Sequence, residues 1–172
     1  MSFEQLWAGW RSAYVSSVAE GAEPGDAQGC LFCALGAGEG PDPSRHVLVS
    51  EGLVAVALNA YPYASGHLLV LPRRHVGELE DLGAEEALAL WQAVADAVRA
   101  LKSAYRPDGL NVGINLGRAA GAGIPGHLHV HVVPRWGGDT NFMTTAAAVR
   151  VLPESLPETF ARLRAAWPGR GG

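Results

Sequence analysis

The 172-residue chain has the length of one ordinary domain, and with 48% of its residues apolar it can bury a core large enough to fold unaided. A formal net charge of −4, with no basic run longer than Arg73-Arg74, excludes an electrostatic nucleic-acid footprint. The start, MSFEQLWAGWR, lacks the basic and apolar regions of a signal peptide, and the longest apolar run, LVAVAL at 53–58, is far short of a membrane span. A soluble, cytoplasmic protein with no membrane partner is expected.

In chain order, a Ser2-x-x-Gln5 capping box followed by Phe3, Leu6 or Trp7, Trp10 and Tyr14 predicts a short amphipathic helix. Residues 20–29 and 36–44, rich in Gly, Pro, Asp and Glu, read as loops flanking GCLFCAL, which puts Cys30 and Cys33 on a knuckle between loops. HVLVS at 46–50, LVAVALN at 53–59 and GHLLVLP at 66–72 read as strands. Glu51-Gly52 gives a tight turn, AYPYAS a longer one, and such short connections predict an antiparallel meander. From Ala84 to Tyr105, Ala87, Trp91, Val94, Val98, Leu101 and Tyr105 recur every three or four residues, the spacing of a buried helical stripe, and Pro107-Asp108-Gly109 ends the helix.

LNVGINLG at 110–117 reads as a further strand and RAAGAGIPG at 118–126 as a small-residue loop leading into HLHVHVVPRW at 127–136. Ser155-x-x-Glu158 opens a last helix with Leu156, Phe160, Leu163 and Trp167 along one face. With no internal repeat and no linker, this order predicts one α+β domain over 1–172, built on a mainly antiparallel sheet of about five strands with packed helices.

In HLHVHVV the alternation is that of a strand: His127, His129 and His131 share one face while Leu128, Val130 and Val132 point into the core. His46 and His67, taken singly, read as surface or hydrogen-bonded residues. Three histidines in register behind a glycine-rich loop do not. His127 and His131 stand roughly 13 Å apart along such a strand, against zinc–nitrogen distances of about 2.1 Å, so a single ion for all three is geometrically poor, although an i, i+2 pair can manage it. A division of labour follows, with a neutral imidazole that donates one N–H to a backbone carbonyl and offers its other nitrogen as nucleophile or base. Backbone N–H groups of the GAG turn, Gly121 and Gly123 among them, can approach phosphate oxygens, and Asn115 can bond the same group, so an anionic substrate is expected.

Cys30 and Cys33 are the only cysteines, spaced C-x-x-C, and in a cytosolic chain they read as metal-binding or redox-active rather than as a structural disulfide. GCLFCALGAGEG does not read as a strand followed by a helix, which a thioredoxin-like motif requires. Half a zinc site needs two further ligands, and the alternative is a pair of reduced, unliganded thiols.

HLHVHVV matches the signature of the histidine-triad (HIT) family of nucleotide hydrolases and transferases. The resemblance extends through CLFC at 30–33, LNAYPYASGHLLVLPRRH at 58–75, LNVGINLG at 110–117 and HLHVHVVPRW at 127–136. Within the family, LWAGWRSAYV near the start, the Gly117-to-His127 spacing and VPRWGGDTNF at 133–142 resemble the bacterial diadenosine tetraphosphate (Ap4A) phosphorylase branch. The resemblance implies His129 as the nucleophile that is nucleotidylated at the α-phosphorus, His131 as a ligand of that phosphate, and Asn115 as a contact nearby. It implies Asn59 beside the ribose and Asn141 near the polyphosphate, with phosphate or water as second acceptor. The alternative it leaves is a zinc-containing, purine nucleotide-binding protein with phosphoramidase activity or little turnover. For the metal it implies structural zinc on Cys30, Cys33, His75 and His127, with His46 competing for the place of His75, and no organic cofactor. A homodimer with joined sheets is also implied. One departure from the family pattern is Gly123-Ile124-Pro125-Gly126, which carries no side-chain donor before the first histidine and leaves the leaving-group acid open.

Overall fold

The computed structural model describes residues 27, 29–139 and 154–169; the helix expected near Phe3–Tyr14, and Asn141, lie outside the described residues. Five strands, β1 (Val47–Glu51), β2 (Val54–Leu58), β3 (Leu68–Pro72), β4 (Gly109–Ile114) and β5 (Val130–Arg135), form one sheet in the order β1-β2-β3-β5-β4. Every pairing is antiparallel. The expected meander is present as β1-β2-β3, and its first turn places Gly52 at φ 54, the left-handed conformation that a two-residue hairpin needs at its first position.

Between β3 and β4 the chain runs through α2 (Ala84–Tyr105), whose bounds match the sequence reading, and β5 then inserts between β3 and β4. The Glu86 carboxylate accepts the Gly83 N–H at 2.9 Å to close the helix start, and Arg106 in the left-handed region followed by Pro107 ends it. The buried stripe is rotated from the expected one: Leu90, Ala93, Val94, Ala97, Ala100 and Leu101 face the sheet, while Trp91 is 50% exposed. Ala93, Ala97 and Ala100 make up half of that buried stripe, a contribution that a count of large apolar residues overlooks. Burying Leu90 and Leu101 fully contributes about 1.5–3 kcal/mol each. The last helix, α3 (Leu156–Ala166), carries the expected Ser155–Glu158 capping box and adds Phe160 and Leu163 to the same core.

Alternation along the strands sorts the sheet into two faces. Val54, Val56, Leu58, Leu68, Val70, Leu128, Val130 and Val132 pack with α2. Ala55, Leu69 and Leu71 face the other way and pack with Phe32 and Ile124. Phe32 belongs to α1 (Leu31–Gly36), so the expected knuckle between loops is a short helix with Cys30 at its N-cap. Six residues bounded by Gly-rich loops carry no readable 3.6 periodicity, which is why the helix was invisible in the sequence.

Two expected strands are shorter than their apolar patterns. β4 ends at Ile114, and β5 begins only at Val130, because Leu128 donates its N–H to the Val76 carbonyl at 2.7 Å instead of joining the β3 ladder. No helix among the described residues is long and apolar enough to cross a membrane.

Gly66, just before β3, has φ 86, and a Cβ there would stand 2.9 Å from Leu101 Cδ2 and 3.1 Å from Tyr105 Cε2. We expect Gly66→Ala to destabilise the fold by about 2–4 kcal/mol, from the left-handed backbone penalty plus overpacking. Chemical denaturation checks this, and an unchanged midpoint would contradict the packing of α2 on the β3 entry.

Candidate active site

The histidines of HLHVHVV stand on the sheet face opposite α2, as the alternation requires, although only His131 lies within β5. His129, only 4% exposed, has its Nδ1 at 2.8 Å from the His127 carbonyl. A carbonyl only accepts, so Nδ1 carries the proton and Nε2 is left as the basic nitrogen of the neutral ring. Burial holds the His129 imidazole below its ordinary pKa of 6.5, against the opposing pull of that carbonyl. The ring is therefore neutral at pH 7, the form that attacks an electrophile.

His131 is tied to a residue that the sequence did not single out for chemistry. His67 Nε2 lies 2.9 Å from His131 Nδ1, and His67 Nδ1 accepts the Tyr63 backbone N–H at 3.0 Å. These partners fix both tautomers: His67 donates from Nε2, His131 accepts at Nδ1, and the proton of neutral His131 sits on Nε2 as a donor. Burial, reinforced by the neighbouring His129, pushes the His131 pKa down to about 4. Tyr63 stacks against the His131 ring at 6.0 Å between centroids, and the His129 and His131 rings lie 5.0 Å apart. The only sequence signal for His67 was its strand-entry position after Gly66; its partner stands 64 residues away and is reached solely through the β3–β5 register, Leu69 opposite His131.

Asn59 accepts the Tyr61 N–H at 2.9 Å and lies 3.4 Å from His67 Nδ1, so it belongs to the same end of the site. Asn115, just beyond β4, is half-buried and directs its amide toward the Gly121 carbonyl at 3.5 Å. The GAG turn is partly spent on itself: Gly121 donates its N–H to the Arg118 carbonyl and Ala122 donates to that of Gly117. Gly121 instead serves Asn115 through its carbonyl.

At the other end of the histidine row, Cys30, Cys33, His75 and His127 bring their four ligand atoms within 4.8 Å of one another. His127 Nδ1 lies 3.3 Å from Cys30 Sγ and 3.5 Å from Cys33 Sγ, and His75 Nδ1 lies 3.2 Å from Cys33 Sγ. Ligands of a tetrahedral zinc stand about 3.4–3.8 Å apart, so this group can hold a metal ion with little adjustment. The His127 Nε2–H donates to the Pro72 carbonyl at 2.9 Å, which turns Nδ1 toward the sulfurs as an outer-sphere partner of a metal ligand should. Burial, followed by the adjacent Cys30 thiol, pushes the Cys33 thiol up to about 11; a coordinated cation would reverse that by stabilising the thiolate. His46 stands outside this group, and His129 is turned away from it by its bond to the His127 carbonyl.

Residues 41–138 match the family model described as the HIT domain. An AP-4-A phosphorylase of Mycobacterium tuberculosis is 39% identical over 164 residues, covering 95% of this chain and 84% of that protein. A bifunctional bis(5'-adenosyl)-triphosphatase/adenylylsulfatase of Arabidopsis thaliana is 36% identical over 98 residues, 57% of this chain and 53% of that one. Among solved structures, a Zn-bound histidine triad family protein from Mycobacterium smegmatis superposes with a TM-score of 0.64 at 31% identity, covering 82% of this chain and 94% of the other.

The His131 placement has a consequence for stability. Its pKa is about 4 in the fold against about 6.5 when unfolded, so between those values the unfolded chain binds the extra proton. The stability this neutral ring contributes is whole above about pH 6.5 and is lost as the pH falls through about 4. We expect the melting temperature, followed by circular dichroism, to drop more steeply between pH 7 and 4 in the wild type than in His131→Gln. Parallel curves would show that His131 does not titrate in this environment.

Proposed function

The chain belongs to the HIT domain family, and on that premise we propose that it is a nucleotidyl transferase acting at the α-phosphate of a dinucleoside polyphosphate such as Ap4A. The observation that carries this reading is the neutral His129 ring, with Nδ1–H held by the His127 carbonyl and Nε2 left basic. Nε2 attacks the α-phosphorus; an N–P bond forms and the bond to the bridging oxygen breaks, releasing ATP from Ap4A. The positive charge that develops on the imidazole is stabilised through the Nδ1–H bond to the carbonyl. In the second step an oxygen of inorganic phosphate displaces Nε2 from phosphorus, giving ADP and the free histidine. Two in-line displacements replace one difficult attack.

His131 donates its Nε2–H to oxygen on the reacting phosphorus, and His67 acts as the positioning residue that sets this tautomer. With Gly123-Ile124-Pro125-Gly126 lacking side-chain donors, that N–H takes the role of leaving-oxygen partner. In this reading Asn115 and the Gly123 backbone serve the phosphate, Asn59 the ribose and Asn141 the polyphosphate. The choice of phosphate over water as acceptor rests on the 39% identity to the mycobacterial AP-4-A phosphorylase.

Zinc is the metal proposed for Cys30, Cys33, His75 and His127, supported by the two-sulfur, two-imidazole donor set and by the Zn-bound histidine-triad neighbour. Bound there it would fill a closed structural site with no open position for substrate. The reading extends to one domain over 1–172 in a reducing, cytoplasmic setting, and to a homodimer joined through the sheet; β4, with Val112 exposed, is an edge strand among the described residues and offers that side to a second copy.

Incubated with Ap4A and phosphate, the protein is expected to yield ADP and ATP in equal amounts, and His129→Ala to lower kcat/KM by roughly 10⁴- to 10⁶-fold. AMP as product at every phosphate concentration would reassign the acceptor to water. Tight nucleotide binding with no nucleotidyl-protein would replace the transferase by a binding protein. Elemental analysis is expected to find a single zinc per chain, lost in Cys30→Ser together with a fall in melting temperature. Zinc retained at full occupancy in that variant would move the ion away from the cysteine helix.

A further inference from the structure

Between the two cysteines stands Phe32, 5% exposed, and its surroundings exceed what a metal loop alone needs. Its ring lies 4.8 Å from the His129 ring, tilted by 59°, and meets His127 edge-on at 5.7 Å. His129 has one ring nitrogen committed to a carbonyl, and a single hydrogen bond leaves the imidazole able to swing about that bond. An aromatic wall against the ring removes that freedom.

The wall is itself held from both ends of α1. On the N-terminal side the thiols of Cys30 and Cys33 reach His127 and His75. On the C-terminal side the single Ser50 Oγ–H is shared between the Gly38 carbonyl at 2.7 Å and the Gly36 carbonyl at 3.1 Å, and Arg73 Nε donates to the Gly36 carbonyl at 2.8 Å. Ala55, Leu69 and Leu71 floor the Phe32 ring from the sheet.

We propose that Phe32 is a positioning residue for His129, and that the Cys30–Cys33 turn and its metal ligands serve to hold that ring against the nucleophile. This rests on the assignment of His129 as nucleophile. Displacing an attacking atom by about 1 Å costs on the order of 100-fold in rate, which sets the scale of the effect.

The test uses the full-length, zinc-containing protein with Phe32→Ala, Phe32→Leu and His129→Ala. Single-turnover nucleotidylation by Ap4A, KM, zinc per chain, melting temperature and the ¹H–¹⁵N ring signals of His129 at fixed pH are measured. For Phe32→Ala we expect the nucleotidylation rate to fall about 10- to 100-fold, with KM and zinc content near wild type. The His129 signals should pass from one tautomer to an averaged pair, and Phe32→Leu, which restores volume without the ring, should fall between the two. A wild-type rate per folded molecule would overturn the proposal, as would a raised KM at unchanged rate, which makes Phe32 a nucleotide contact, or zinc lost in step with the rate. Should Phe32→Ala not fold, a several-fold rate loss at constant KM in Phe32→Leu upholds the proposal and a wild-type rate overturns it. Turnover persisting in His129→Ala would remove the parent reading, whereas an inactive His129→Ala beside a fully active Phe32→Ala removes this inference alone.

Discussion

His127 makes three commitments at once, and the site depends on all of them. Its Nε2–H goes to the Pro72 carbonyl at the end of β3, its Nδ1 faces both cysteine sulfurs, and its own carbonyl takes the Nδ1–H of His129. The side chain is fully buried, so none of these polar groups has water to fall back on, and leaving one unmade would cost about 1–3 kcal/mol. A residue fixed in this way transmits position. The strand end, the metal group and the ring of the proposed nucleophile share one point of reference.

The sheet supplies the rest of the frame because its central strands are buried on both faces. An antiparallel sheet with one solvated face would have left the histidine row wet, and imidazoles in water sit near their ordinary pKa. Here β2 and β3 are buried throughout, α2 seals one face, and α1 with Phe32 closes part of the other. Desolvation then lowers the pKa values of His127, His129 and His131 together. The cost is a row of buried polar rings, met by carbonyls, by sulfur and by His67.

The β3–β5 pairing places chemistry as well as strands. Setting Leu69 opposite His131 brings His67, two residues earlier, within hydrogen-bonding reach of His131, and a slip of one residue would turn the whole row onto the α2 face. The sheet order with β5 between β3 and β4 also pairs Ile114 with Val130, each one residue from Asn115 and His129.

Much of this was determined by local pattern. Period-two alternation fixed which face of HLHVHVV is polar, period 3.6 with Pro107 and Gly109 fixed the span of α2, and the Ser155–Glu158 box fixed the start of α3. Such features are set by residues within a few positions of one another, so one chain suffices to read them. The cysteine helix, the rotated stripe of α2 that leaves Trp91 exposed, and the late start of β5 were decided by packing and by the Leu128–Val76 bond. So were the tautomer set by His67 and the seating of Phe32 on His129. Each of these depends on a partner tens of residues away, brought near only when the sheet closes, and a sequence without that closure does not contain the distance.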